Sequence, residues 1–180
     1  MFIDGENLVF RYQSMIGKGY VAIRNVEHIP DILVWQYSVY APGDYDVLRA
    51  NYYTYATGDE NKISCINEKL KQLTFLTEYS TTLPRNLTPI VFKKPQKTAK
   101  AKGVDIQLTV DVLSYVQRDI VDAVFILTGD GDYEPLFREV QRCGKLIYHA
   151  AFSDGLSPTL RNLADQSYSL DTLFFEQPPK

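Results

Sequence analysis

AVFILTGDGDYEPL, residues 123–136, opens with a short apolar run, AVFILT, and passes through Gly129, Asp130, Gly131 and Asp132 into a helical pattern. A run this short, rich in β-branched and aromatic residues and closed by glycine, predicts a buried strand rather than a helix. YEPLFREVQRC (133–143) has helical spacing, and Gly144 follows as a left-handed cap. The stretch is therefore a strand-to-helix unit with two carboxylates at the carboxyl end of its strand.

The same alternation extends in both directions. Downstream, KLIYHAAF (145–152) reads as a strand, and Ser157-Pro158 as the N-cap and first residue of a short helix. Upstream, residues 104–117 read as a helix and LTPIVF (87–92) as a strand. Ile63, Ile66, Leu70 and Leu73 mark an amphipathic helix, and LRANYYTYAT (48–57) a strand. Val26, Ile29, Leu33 and Val34 have helical spacing, with Pro30 in a first turn. Phe2 and Ile3 open a very short strand, and FEQPPK at the C-terminus is expected to fray. Strands alternating with helices imply right-handed crossovers and an α/β fold, with a central, mostly parallel sheet and helices on both faces. No repeat or linker interrupts the pattern, so residues 1–180 are expected to form a single domain.

The chain has 180 residues, 45% of them hydrophobic, enough for one full core. Its net charge of −3 argues against nucleic-acid binding through total charge and leaves a local basic patch open. Cys65 and Cys143 form no C-x-x-C motif, which speaks against zinc and a disulfide framework. Both are expected to be small buried hydrophobes. No apolar run approaches the ~18 residues of a membrane helix, and no basic-then-apolar leader is visible. The expectation is a soluble cytoplasmic protein that does not engage a membrane.

Chemistry gathers where the strands end. Asp4 follows the first strand in MFIDGEN. Asp130 and Asp132 follow AVFILT, and Asp105 opens a helix in KGVDIQLTVD (102–111). In open α/β sheets, functional residues collect beyond the carboxyl ends of the strands. If the strands are neighbours, all four carboxylates share one edge. Each alone reads equally well as a turn or cap residue. Together they predict a cluster whose like charges call for a cation, and Mg²⁺ or Mn²⁺ matches oxygen ligands. Asp4, Asp105 and Asp130 are the candidate metal ligands, with Asp132 beside them at the catalytic centre. Phosphodiester hydrolysis is the expected chemistry. Asn7 lies three residues after Asp4, within reach of the same site or as a helix cap. Asp111 shares a helical stripe with Val104, Leu108 and Tyr115, so it needs either an internal hydrogen-bond partner or a supporting role at the site. Asp154, Asp165 and Asp171 read as surface or capping residues.

From Glu78 to Asp105 no acidic residue intervenes, while Arg85, Lys93, Lys94, Lys97, Lys100 and Lys102 do. Five lysines in KKPQKTAKAK (93–102) beside an acidic site suit a phosphate backbone, read without sequence preference. They read otherwise as a solvated loop. Tyr12, Tyr20, Tyr45 and Tyr133 are candidates for stacking on unpaired bases.

FIDGEN (2–7), KGVDIQLTVD (102–111), LTGDGDYEPL (127–136) and SPTLRNLAD (157–165) together resemble the NYN domain family, the PIN-like nuclease relatives that include LabA-like bacterial proteins. The resemblance implies a PIN-like Rossmannoid fold and a Mg²⁺- or Mn²⁺-dependent endoribonuclease acting on RNA, expected to be single-stranded. By motif, Asp4, Asp105, Asp130 and Asp132 would be its acidic residues. Asn7 matches the asparagine of the first motif and Asp111 the second acid of the second. Related folds often pair, so a homodimer is open. The segments between motifs, residues 12–50 and 76–100, depart from the family pattern.

Two other functions compete with hydrolysis of RNA. A haloacid dehalogenase-like phosphatase needs a second aspartate two residues after the nucleophile, and Asp4 is followed there by Glu6. A non-catalytic RNA-binding or regulatory module keeps the acidic edge without turnover. Gly129-x-Gly131 begins like a dinucleotide-binding fingerprint, but position 134 is Glu.

Overall fold

The computed structural model describes residues 1–39, 46–76, 85–94 and 103–176. In chain order its elements are β1 (Phe2–Asp4), α1 (Gly5–Gly17), β2 (Glu27–Ile29), β3 (Leu33–Trp35), β4 (Asn51–Ala56), α2 (Glu60–Gln72), β5 (Thr74–Phe75) and β6 (Arg85–Asn86). Then come β7 (Thr88–Lys93), α3 (Gly103–Gln117), β8 (Ala123–Leu127), a 3-10 turn (Gly131–Tyr133), α4 (Glu134–Arg142), β9 (Leu146–Ala151), α5 (Pro158–Leu163), β10 (Gln166–Ser169) and α6 (Asp171–Phe174).

Six strands form one parallel sheet in the order β10-β9-β8-β1-β4-β7. β1 is central. Phe2 and Ile3 face Asn51 and Tyr52 on β4, and Ile126 and Leu127 on β8. All six residues of β4 are buried, as both-face burial of a parallel strand requires. Successive side chains alternate between two cores. Ile3, Tyr52 and Leu127 join α1, α2 and the β2–β3 hairpin. Phe2, Tyr53 and Ile126 join α3, α4 and α5.

The chain first builds one half of the sheet, β1 to β4 to β7, then returns through α3 to build β8, β9 and β10 on the other side of β1. The order therefore reverses at β1, which places the switch-point crevice beyond its carboxyl end.

Several expectations need correction. Residues 26–34 are not helical. Glu27–Ile29 and Leu33–Trp35 pair as an antiparallel hairpin, turning at Asp31 with φ 62°. The buried Tyr52 hydroxyl takes the backbone N–H of Val34 (3.1 Å) and donates to its carbonyl (3.2 Å), so tertiary bonding overrides the spacing. Phe175 of the expected frayed end is buried and stacked 5.2 Å from Tyr12, and the Glu176 N–H donates to Val21 O. Residues 177–180 lie outside the described residues. Cys65 is exposed and Cys143 half-buried. Helix α1 and strand β10 were not legible as elements. No helix among the described residues is long and apolar enough to cross a membrane.

Candidate functional site

Asp4 ends β1 and caps α1. Its Oδ1 accepts the Asn7 N–H at 3.0 Å, and its Oδ2 accepts the Thr128 hydroxyl at 2.8 Å. The turn is tight: a Cβ on Gly5 would lie 2.3 Å from the Tyr52 ring and 2.6 Å from Tyr53 O, so only glycine lets α1 start there. Asp4 is only 3% exposed. Burial, with Asp105 and Asp130 nearby, pushes its carboxyl up to about 7, against the two hydrogen bonds that lower it.

Beyond β8 the loop is pinned to α1, since the Gly129 N–H donates to Asn7 Oδ1 at 2.8 Å. Asp130 caps the 3-10 turn by accepting the Asp132 N–H at 3.0 Å, and its own N–H donates to Thr128 Oγ1 at 3.2 Å. Thr128 is thus bonded to both strand-end aspartates. A Cβ on Gly129 would meet Gly155 O at 2.9 Å, so this crossing also requires glycine.

Asp105 comes from the first turn of α3 and accepts the Tyr133 hydroxyl at 3.1 Å. Burial, then Glu6, Asp130 and Asp132, raises its carboxyl above the ordinary range, while the Tyr133 bond opposes the shift. Tyr133 is buried, and its phenol is raised by burial and by Asp4, Asp105 and Asp130. It therefore stays protonated and donates. Asp132 is exposed and lines a shallow cleft with Asp105 and Tyr133.

Asp105 and Asp130 therefore act on Asp4, and Asp130 acts on Asp105, from separate elements at one edge. None of these three, nor Asp132, makes an ion pair among the described residues. Nor do any three Asp, Glu, His or Cys side chains among the described residues close into a ligand cage. The edge is acidic, open and without a compensating ion pair to these four among the described residues.

The remaining candidates fall elsewhere. Asp111 accepts the Tyr53 hydroxyl and the Gln107 amide, both at 2.8 Å, so it is bonded between α3 and β4 inside the fold. Lys93 pairs with Glu60 at 2.7 Å. Lys94 pairs with Glu6 at 3.2 Å and sits 4.9 Å from the Tyr55 ring centroid. Lys97, Lys100, Lys102 and Tyr45 lie outside the described residues. Tyr12 and Tyr133 are buried and present no face for stacking, a correction to the sequence reading. Asp165 and Asp171 accept backbone N–H groups of Ile147 (2.7 Å) and Ser153 (2.9 Å), and Asp154 pairs with Lys18.

Sequence reasoning missed three groups. Thr128 was visible as the polar end of AVFILT. Tyr133 suggests a stacking ring by type alone, and its role as donor depends on Asp105, 28 residues away on another helix. His149 left no signal. It is fully buried, with Nε2 2.7 Å from Thr128 O and Nδ1 2.9 Å from Ser167 Oγ. Facing a carbonyl, Nε2 carries the proton and Nδ1 accepts from Ser167. Burial lowers its pKa, so the neutral ring supports the end of β8.

The NYN domain family matches residues 1–171. The chain belongs to the NYN domain family. Membership places it in the PIN-like nuclease superfamily and supports a nuclease or hydrolase activity. Among solved structures, a Vibrio parahaemolyticus protein of unknown function (VPA0982) is similar at 25% identity and TM-score 0.51. The match covers 73% of this chain and 74% of that one. No curated protein matches. The six-stranded parallel sheet flanked by helices is thus the fold of an NYN domain in this chain.

Proposed function

We propose that this NYN domain is a metal-dependent endoribonuclease acting on single-stranded RNA. The observation that carries the reading is Asp4, buried without an ion pair among the described residues, with Asp105 and Asp130 near enough to raise its carboxyl. An all-oxygen donor set without an ion pair among the described residues suits Mg²⁺ or Mn²⁺ by ligand type and not a soft metal. Asp4, Asp105 and Asp130 would hold the ion, which when bound would lower the pKa of a bound water and offset charge at phosphorus.

The protein groups do the rest. Thr128 and the Asn7 N–H fix both oxygens of Asp4, so that carboxylate needs no rearrangement. The Tyr133 hydroxyl orients Asp105. Asp132, exposed beside Asp105, can accept a proton or hold a water at its carboxylate. Lys94, bound to Glu6 at the same edge, can exchange that partner for an RNA phosphate. Position 6 is Glu where the phosphatase alternative needs a second aspartate, which disfavours that alternative.

The experiment is cleavage of a labelled single-stranded RNA with Mn²⁺ and, in parallel, with chelator. Cleavage that requires Mn²⁺ and is lost in Asp4→Asn is expected. Equal cleavage in both conditions, or full activity in Asp4→Asn, overturns the reading. RNA binding with no turnover at any metal concentration supports the non-catalytic module instead.

A further inference from the structure

A cavity of about 540 Å³ lies beside the acidic edge, between α1, the β2–β3 turn and the carboxyl end of β4. Its volume is in the range of small-molecule sites. Phe10 on α1 lines it and is 62% exposed, so its ring is open to a ligand. The Arg11 guanidinium carbon lies 5.2 Å from the centroid of that ring. Ile32 supplies further apolar wall. The rim is held in place by Gln13, whose amide donates to Asp31 Oδ1 (3.2 Å) and accepts the Asp31 N–H (2.9 Å).

Two cations line the same space. Lys94 is balanced by Glu6, while exposed Lys62 makes no ion pair among the described residues. The cavity also joins the acidic edge through shared residues. Glu6 lines it and acts on Asp105. Tyr55 lines it and accepts the Val104 N–H at 2.9 Å, one residue before Asp105. An aromatic platform, an apolar wall and a lysine without an ion pair among the described residues, beside the acidic edge, match a planar base attached to a phosphate.

We propose that this cavity is a subsite for one unstacked nucleobase of a single-stranded RNA, stacked on Phe10 with the adjoining phosphate on Lys62. The inference rests on the reading of the acidic edge as a site for RNA phosphodiesters, and it adds where the strand is gripped. Base–aromatic stacking tolerates every base, so the subsite sets strand path and single-strand preference rather than sequence.

The test separates the two readings because it needs no cleavage. The full chain is titrated, in chelator, with a ten-nucleotide RNA carrying a fluorescent label and, separately, one carrying 2-aminopurine. The expected result is binding with quenching of 2-aminopurine. Phe10→Ala should weaken binding roughly tenfold or more and abolish the quench, and Phe10→Trp should restore both. Lys62→Ala should weaken binding and flatten its salt dependence while the quench at saturation persists. Leu48→Ala, exposed at the opposite edge of the sheet, should bind as the parent does. RNA affinity and quench unchanged in Phe10→Ala and Lys62→Ala would assign the cavity to another ligand and overturn the proposal, as would absence of RNA binding. Failure of Mn²⁺-dependent cleavage with the binding pattern intact would overturn only the nuclease reading.

Discussion

Thr128 Oγ1 donates to Asp4 Oδ2 at 2.8 Å, joining the carboxyl ends of β8 and β1 across 124 residues of sequence. The same oxygen takes the Asp130 N–H at 3.2 Å. One hydroxyl therefore sets the position of both strand-end aspartates. Thr128→Val keeps the shape and removes the bonds. It is expected to cost about 1–3 kcal/mol in urea denaturation and to move the activity profile to higher pH, because Asp4 loses a bond that favours its charged form. Thr128→Ser should restore most of both.

The raised Asp4 carboxyl gives stability a definite pH dependence. Folded, Asp4 titrates at about 7, against 3.8 unfolded. Between those values the native state holds a proton that the unfolded chain has lost, so stability falls as pH rises through the window. Asp105 shifts in the same direction. The loss from Asp4 has an upper bound of about 4 kcal/mol. Thermal denaturation in chelator at pH 5 and pH 8 should show a lower Tm at pH 8. Asp4→Asn should narrow the gap, and Mn²⁺ added at pH 8 should raise the Tm of the parent.

Gly5→Ala should be among the most disruptive small substitutions in the molecule. Its methyl would overlap the Tyr52 ring and the Tyr53 carbonyl at the junction carrying Asp4. Destabilisation of about 3 kcal/mol or more is expected from chemical denaturation. Gly17→Ala is the matched control. Nothing lies within 4 Å of its added Cβ, and the change should be neutral or stabilising by up to about 1 kcal/mol.

Asp111 and Asp132 should separate stability from chemistry. Asp111→Ala leaves the Tyr53 hydroxyl and the Gln107 amide without their acceptor, and should lower stability by about 1–3 kcal/mol while activity per folded molecule persists. Asp132→Ala, at an exposed position, should leave the denaturation midpoint nearly unchanged and reduce cleavage by about 100-fold or more. Reversal of that pattern in paired denaturation and single-turnover assays would contradict both placements.

The parts of the fold that could be read in advance were those with strong short-range signals. Residues 51–56, 88–93, 123–127 and 146–151 are strands, and 60–72 and 103–117 are helices, close to where periodicity puts them. The failure at residues 26–34 has the same origin. Val26, Ile29, Leu33 and Val34 satisfy a helical template, but the Tyr52 hydroxyl engages Val34's backbone and holds a strand. Helix α1 escaped notice because Asp4-Gly5 reads as a turn, and only the contacts of Gly5 with Tyr52 and Tyr53 show that the turn starts a helix.

For the site, residue types and their places at strand ends were enough to nominate Asp4, Asp105, Asp130 and Asp132, since each lies within a residue or two of an element boundary. Sorting them needed distances between remote segments. Asp4 is buried and Asp132 exposed, Asp111 belongs to the fold, and Thr128, Tyr133 and His149 hold the edge together. Periodicity and turn chemistry are properties of a few adjacent residues and are written directly into the chain. Burial, carboxyl pKa and hydrogen-bond partners depend on which segments pack together, and that is settled only when β1, β8 and α3 meet.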